Sequence, residues 1–147
     1  MSCVLRARGI DFAVDEFLAE SSLKPIAIFR KGQPQWPKVN SAGPKLRASG
    51  FHASVSEADF SDIKTQIDDA LDFLQQNQTE LSRLIALPGI ERVWLDFGIE
   101  ERDVAAQHES FPPNLLSLAG NLGIWIDFTL YPSQKPGVPR TPRAPAH

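Results

Sequence analysis

The sequence predicts an α+β fold in which helices lie on one face of an antiparallel or mixed sheet. Three observations predict it. Several short segments alternate apolar and polar residues with the period of a half-buried strand. One long stretch carries apolar residues at helical spacing, and strand-like and helix-like segments follow one another without the strict alternation of a doubly wound parallel sheet. The chain has 147 residues, 42% hydrophobic and 22% charged, which suits one ordinary core and no second one.

Ser2 to Gly9 alternates, with Cys3, Leu5 and Ala7 on one side and Val4, Arg6 and Arg8 on the other, the pattern of a strand with one buried face. Asp11 is placed to cap a helix whose Val14, Phe17 and Leu18 form its apolar stripe, with Asp15 and Glu16 favourable in the first turns. Ser21, Ser22 and Pro25 stop it. Ile26 to Phe29 reads as a short strand, Arg30-Lys31-Gly32 as a turn, and residues 33–46, with Pro34, Pro37, Gly43 and Pro44, as a long loop. Loops of that length in a small domain are often mobile or functional.

Arg47 to Val55 reads as the next strand, Phe51, Ala53 and Val55 opposing Gly50, His52 and Ser54. Ser56 to Asp59 has the form of a capping box for a helix whose stripe is Phe60, Ile63, Ile67, Ala70, Leu71 and Leu74. Asn77 suits a left-handed cap, and Leu81, Leu84 and Ile85 predict a second short helix stopped at Pro88-Gly89. Ile90 to Ile99 reads as a strand. Pro112 to Leu122 reads as a helix begun by proline and ended at Gly123, and Ile124 to Tyr131 as the last strand, Ile126, Phe128 and Leu130 opposing Trp125, Asp127 and Thr129. The order β-α-β-β-α-(α)-β-α-β points to a ferredoxin-like or related split-βαβ sandwich over residues 1–132. Residues 133–147 repeat proline every third position, at Pro136, Pro139, Pro142 and Pro145, beside Lys135, Arg140 and Arg143, and predict a Pro-rich basic disordered tail.

Net charge is −3, but unevenly spread: residues 1–56 hold 8 basic and 4 acidic side chains, residues 57–109 hold 4 and 13. Ser21 to Ser56 has no acid while carrying Lys24, Arg30, Lys31, Lys38, Lys45 and Arg47. A nucleic-acid site needs such cations to converge on one face with stacking aromatics. Phe29 and Trp36 are a weak match, so nucleic acid is not the expected partner and the basic segment is expected to balance the acidic middle of its own domain. No apolar run reaches the 18 or so residues of a membrane span. Arg6 and Arg8 interrupt any signal-peptide core, and the expected setting is the cytoplasm. The lone Cys3 makes neither an internal disulfide nor a cysteine zinc site.

Chemistry concentrates in two similar strands, Val93-Trp94-Leu95-Asp96-Phe97 and Ile124-Trp125-Ile126-Asp127-Phe128. With the aliphatic residues turned to the helices, Trp94, Asp96, Trp125 and Asp127 share the opposite face with Arg6, Arg8, His52 and Ser54. Arginines facing aspartates on neighbouring strands attract, and tryptophans beside them add stacking. Such a face is either self-satisfied sheet surface or a binding surface, since Trp and Arg are the usual anchors of interfaces. An enzyme built on Asp96, Asp127 and His52 is the alternative. His52 and Ser54 stand about 6.6 Å apart along one strand, too far for a serine-histidine couple. No HxH, HxxxH or DxD spacing prepares a metal site, and no glycine-rich loop prepares a phosphate site, so neither metal nor cofactor is expected.

Four stretches carry a resemblance: Val4-Leu5-Arg6 with the acidic helix start after it; Lys24-Pro25 followed by Arg30-Lys31-Gly32; Gly50 to Leu74; and Leu115-Leu116-Ser117-Leu118-Ala119 through Leu122-Gly123 to Asp127 and Tyr131. Over about residues 3–132 the chain resembles DUF4279, a bacterial family of unknown function, and departs from it in the Pro-rich segment around Trp36. The resemblance implies a compact α+β domain with no known cofactor and no assigned catalytic residue. By analogy with other small bacterial domains it suggests an immunity-type inhibitor or an accessory binding module.

The expected function is therefore a non-catalytic protein-binding module, with Arg6, Arg8, His52, Trp94, Asp96, Trp125 and Asp127 on the sheet and Arg30, Lys31 and Trp36 on the basic loop as contact residues. The partner is another protein or, in a structural homo-oligomer, a second copy of the chain.

Overall fold

The computed structural model describes residues 1–133, with elements β1 (Cys3–Gly9), α1 (Val14–Ala19), β2 (Pro25–Phe29), β3 (Pro34–Trp36), β4 (Asn40–Lys45), β5 (Ser49–Ser56), α2 (Ile63–Gln76), α3 (Gln78–Ile85), β6 (Arg92–Glu100), α4 (Pro113–Leu122) and β7 (Trp125–Tyr131). The expected Pro-rich tail falls outside the described residues, apart from Ser133.

The main sheet has the order β2-β5-β1-β6-β7. Strand β1 is antiparallel to both neighbours, Leu5 lying opposite Ala53 and Leu95. β2 is antiparallel to β5, and β6 and β7 run parallel. It follows that β1 and β2 are parallel with β5 between them, and β5 and β6 parallel with β1 between them, so α1 and the α2-α3 pair each cross one intervening strand. α4 joins adjacent parallel strands. The α+β class and mixed sheet are those the periodicity predicts. The order does not by itself establish a ferredoxin-like topology, and α4 with β7 adds a fifth strand, parallel to its neighbour, at one edge.

The period-two pattern sorts the side chains. Leu5, Ala7, Phe51, Ala53, Val93, Leu95 and Phe97 are buried beneath Phe17 of α1, Ile67, Ala70 and Leu74 of α2, Leu81 and Leu84 of α3, and Leu115 and Ala119 of α4. Each large side chain fully buried there contributes about 1.5–3 kcal/mol. Phe17 stacks on Phe51 at 5.9 Å between ring centroids.

Local signals depart from expectation in four places. Asp11 does not cap α1; Ala13 occupies the cap with no side-chain bond, and the Asp11 backbone lies against Gly89. α2 starts later than the Ser56 box suggests. Its cap is Asp62, which accepts from the Thr65 amide at 3.1 Å and the Thr65 hydroxyl at 2.7 Å, while Ser56 Oγ is committed to Asp69 at 2.6 Å. Phe60 consequently precedes the helix and meets the edge of Tyr131 at 5.1 Å. Asn77 is not left-handed (φ −114°); its side-chain amide donates to the Phe73 carbonyl at 2.8 Å.

The fourth departure is the expected long loop at 33–46, which is a hairpin of β3 and β4. Pro37 fits the second position of its turn, closed by the Val39 amide donating to the Trp36 carbonyl at 3.1 Å, as a fixed φ favours. In a two-stranded ribbon both strands are edges, so Pro34 and Pro44 remove donors that the ladder can spare.

Candidate functional site

The face of the sheet away from the helices is organised in cross-strand rows. His52, Arg6, Trp94 and Trp125 form one row, and Ser54, Val4, Asp96 and Asp127 the next. The rows arise because β1, β5 and β6 each alternate a buried side chain with one on this face, and the parallel register sets Trp94 beside Trp125 and Asp96 beside Asp127.

Two clusters result. In the first, Arg6 Nε donates to Asp96 Oδ2 at 3.0 Å, and its Nη1 lies 3.0 and 3.1 Å from the two ring nitrogens of His52. Thr129 Oγ1 donates to the other Asp96 oxygen at 2.8 Å. His52 is half-buried, edge-on to Phe29. Its pKa is lowered by burial first and by the Arg6 charge second, with Asp96 opposing, so the imidazole is neutral at neutral pH. A hollow of about 190 Å³ opens beside Arg6, His52 and Asp96, walled by Val4, Phe60 and Tyr131.

The second cluster centres on Arg92. Its Nη2 donates to both Asp127 oxygens at 2.8 and 3.0 Å, and its guanidinium carbon stands 4.9 Å from the ring centroids of both Trp94 and Trp125. This is a cation held between two aromatic faces. Arg92 Nε is buried without a partner. Trp125 remains 61% exposed.

The expected site residues are thus divided by the fold. Arg6, His52 and Asp96 come together, as do Trp94, Trp125 and Asp127. Arg8 lies on the same side at the end of β1, largely exposed and 3.7 Å from Glu91. Arg30 does not reach this face: its Nη2 and Nε bind Asp15 of α1 at 2.7 and 2.8 Å. Lys31 has Asp11 at 4.0 Å and donates its amide to Ser49 Oγ at 2.9 Å. The basic turn is therefore balanced by acids of the first 20 residues, not by the acidic middle. Trp36 stands exposed on the separate β3-β4 hairpin.

Arg92 and Thr129 belong to the site although the sequence reading did not single them out. The signal was present, since Arg92 shares the parity of Trp94 and Asp96, and Thr129 that of Trp125 and Asp127. Among the described residues no group of three or more His, Cys, Asp or Glu side chains is arranged to hold a metal, and no helix is long and apolar enough to cross a membrane.

A family model described as a domain of unknown function, DUF4279, matches residues 1–133. No curated protein and no solved structure matches the chain.

Proposed function

Because the chain belongs to the DUF4279 family, whose description assigns no activity, we propose from its own surface that it is a non-catalytic protein-binding module of the inhibitor or immunity type, contacting its partner through the open sheet face. The observation that carries this reading is the Trp94-Arg92-Trp125 stack, with Trp125 standing 61% exposed at its outer end. An exposed tryptophan held rigid by a stacked arginine presents a large apolar area with little entropy left to lose, the property of an interface anchor. The bacterial cytoplasm is the setting that accords with a single, buried, unpaired thiol.

A catalytic reading of Asp96, Asp127 and His52 has the hollow beside Arg6 in its favour. It is the weaker one, because each carboxylate already accepts hydrogen bonds from an arginine, so neither is a free proton acceptor.

The test is capture from the source cell with the full chain and its Trp125→Ala variant as baits, each checked by thermal unfolding. Truncation of an anchor weakens association by about 1–2 kcal/mol or more, so proteins retained by the parent are lost from a folded variant. A folded Trp125→Ala bait that retains the same proteins overturns the reading.

A further inference from the structure

We propose that two copies of this chain join edge to edge through β7, antiparallel and centred on Phe128, so that the sheet continues across a two-fold axis. The inference goes beyond the open-face reading, because it concerns the rim of the sheet and not its surface.

β7 is the outermost strand of the main sheet among the described residues, so the backbone groups on its outer side pair with no other strand. The helical layer stops short of it: Phe128 is 59% and Leu130 52% exposed, beside a hollow of about 260 Å³ whose other walls are Ile99, Phe111 and the polar segment Gln107-His108-Glu109. The two rims are treated differently. β2 begins with Pro25, follows Lys24 and has a register shift between Pro25 and Ala27, all devices that block pairing. β7, Trp-Ile-Asp-Phe-Thr-Leu-Tyr, has no lysine and meets a proline only at Pro132, after its end, and its register with β6 is unbroken from Trp125 to Tyr131. A long, unbroken and mostly apolar edge of this kind is a pairing surface or an aggregation hazard.

Self-complementarity selects a second copy as the occupant. With Phe128 on the axis, the partner's Phe128 lies opposite it, Ile126 meets the partner's Leu130, and Trp125 meets the partner's Tyr131. Asp127, the only charge in the strand, meets the partner's Thr129, a hydrogen-bonding neighbour. A register centred on Asp127 would instead oppose two carboxylates, which is unfavourable, and one centred on Thr129 would leave Trp125 without a cross-strand partner in β7. One-residue slips would set the helix-side face against the open face.

Sedimentation or light scattering of the full chain, 16.3 kDa per copy, is expected to give twice the monomer mass. Phe128→Lys and Phe128→Glu should each lose the dimer, because only position 128 meets itself, and mixing the two in equal amounts should restore it. Should either charge unsettle the fold, Phe128→Cys gives the same answer. With Cys3 buried, mild oxidation should link two copies through position 128, whereas Leu130→Cys, which faces the partner's Ile126, should not link. A parent chain that stays monomeric at every concentration reached overturns the proposal. So does a dimer that survives Phe128→Lys, or a Leu130→Cys variant that cross-links as readily as Phe128→Cys. A folded Phe128→Lys bait should still capture open-face partners, so the two readings fail separately.

Discussion

Arg6 of β1 and Asp96 of β6 meet across the middle of the open sheet face, Nε to Oδ2 at 3.0 Å, with three-quarters or more of each side chain withdrawn from water. A guanidinium so placed is bound to its neighbours by charge more than by contact area. Arg6→Met keeps most of the covered surface but leaves Asp96 with Thr129 alone, and is expected to lower stability in urea by about 2–3 kcal/mol. Adding Asp96→Asn should recover part of that loss. A double variant no better than Arg6→Met would mean that the pair contributes only packing.

His52 makes stability depend on pH above the carboxylate range. Its folded pKa is lowered by burial and by Arg6, so the unfolded chain, in which histidine titrates near about 6.5, takes up the proton first. Stability is full above about pH 6.5 and is lost as pH falls toward the folded value. Carboxylates held low by hydrogen bonds, Asp15 to Arg30 and Asp62 to Thr65, lose their contribution only below about pH 4. Unfolding measured across both windows should show two separate declines. His52→Gln should remove the upper decline and leave the lower one.

Glycines at two positions should respond oppositely to the same substitution. A Cβ on Gly9 would overlap the backbone carbonyl of Gly89, and neither backbone can yield without breaking the end of β1. Gly9→Ala is expected to destabilise by about 3 kcal/mol or more. Gly120, inside α4, has open space where its Cβ would stand, and Gly120→Ala should stabilise by about 0.5–1 kcal/mol through helix propensity. Thermal unfolding of the two variants decides both.

Cys3 should be silent toward thiol reagents in the folded protein. It is fully buried, and burial, with Asp96 and Asp69 nearby, raises its pKa far above the ordinary thiol range, so both access and thiolate are lacking. Labelling should track unfolding in denaturant; rapid labelling of native protein would show that β1 opens on its own.

The open face was legible because a strand's period admits only two assignments, and the aliphatic residues of Val93-Trp94-Leu95-Asp96-Phe97 decide between them. What period cannot supply is which strands are neighbours. Arg92 therefore passed unnoticed, its role depending on Asp127 arriving from β7, 35 residues on. Arg30 shows the converse: composition marks a basic segment without saying where its charges point, and the partner it finds is Asp15, exposed in the first turn of α1. The β3-β4 hairpin was hidden by its prolines, which are poor strand residues in a sheet interior yet harmless in a ribbon that is all edge. The α2 cap was misplaced because Ser56 and Asp62 both carry suitable oxygens, and only the tertiary bond of Ser56 to Asp69 leaves the task to Asp62.

The placement of β1 also orders events in time. β1 is made before both of its neighbours yet becomes the middle of the sheet, so Leu5 must wait for Ala53 on one side and Leu95 on the other. At synthesis rates of about 5–20 residues per second, the second neighbour follows roughly 5–20 s after the first strand is made. Until β5 is made Cys3, Leu5 and Ala7 have neither neighbour, and from then until β6 is made they have only one; the rim strand β7 comes later still. The centre of the sheet is thus covered only after β6 has been made, a slow topology dominated by distant pairings. Chaperone binding during translation is expected to centre on this opening segment.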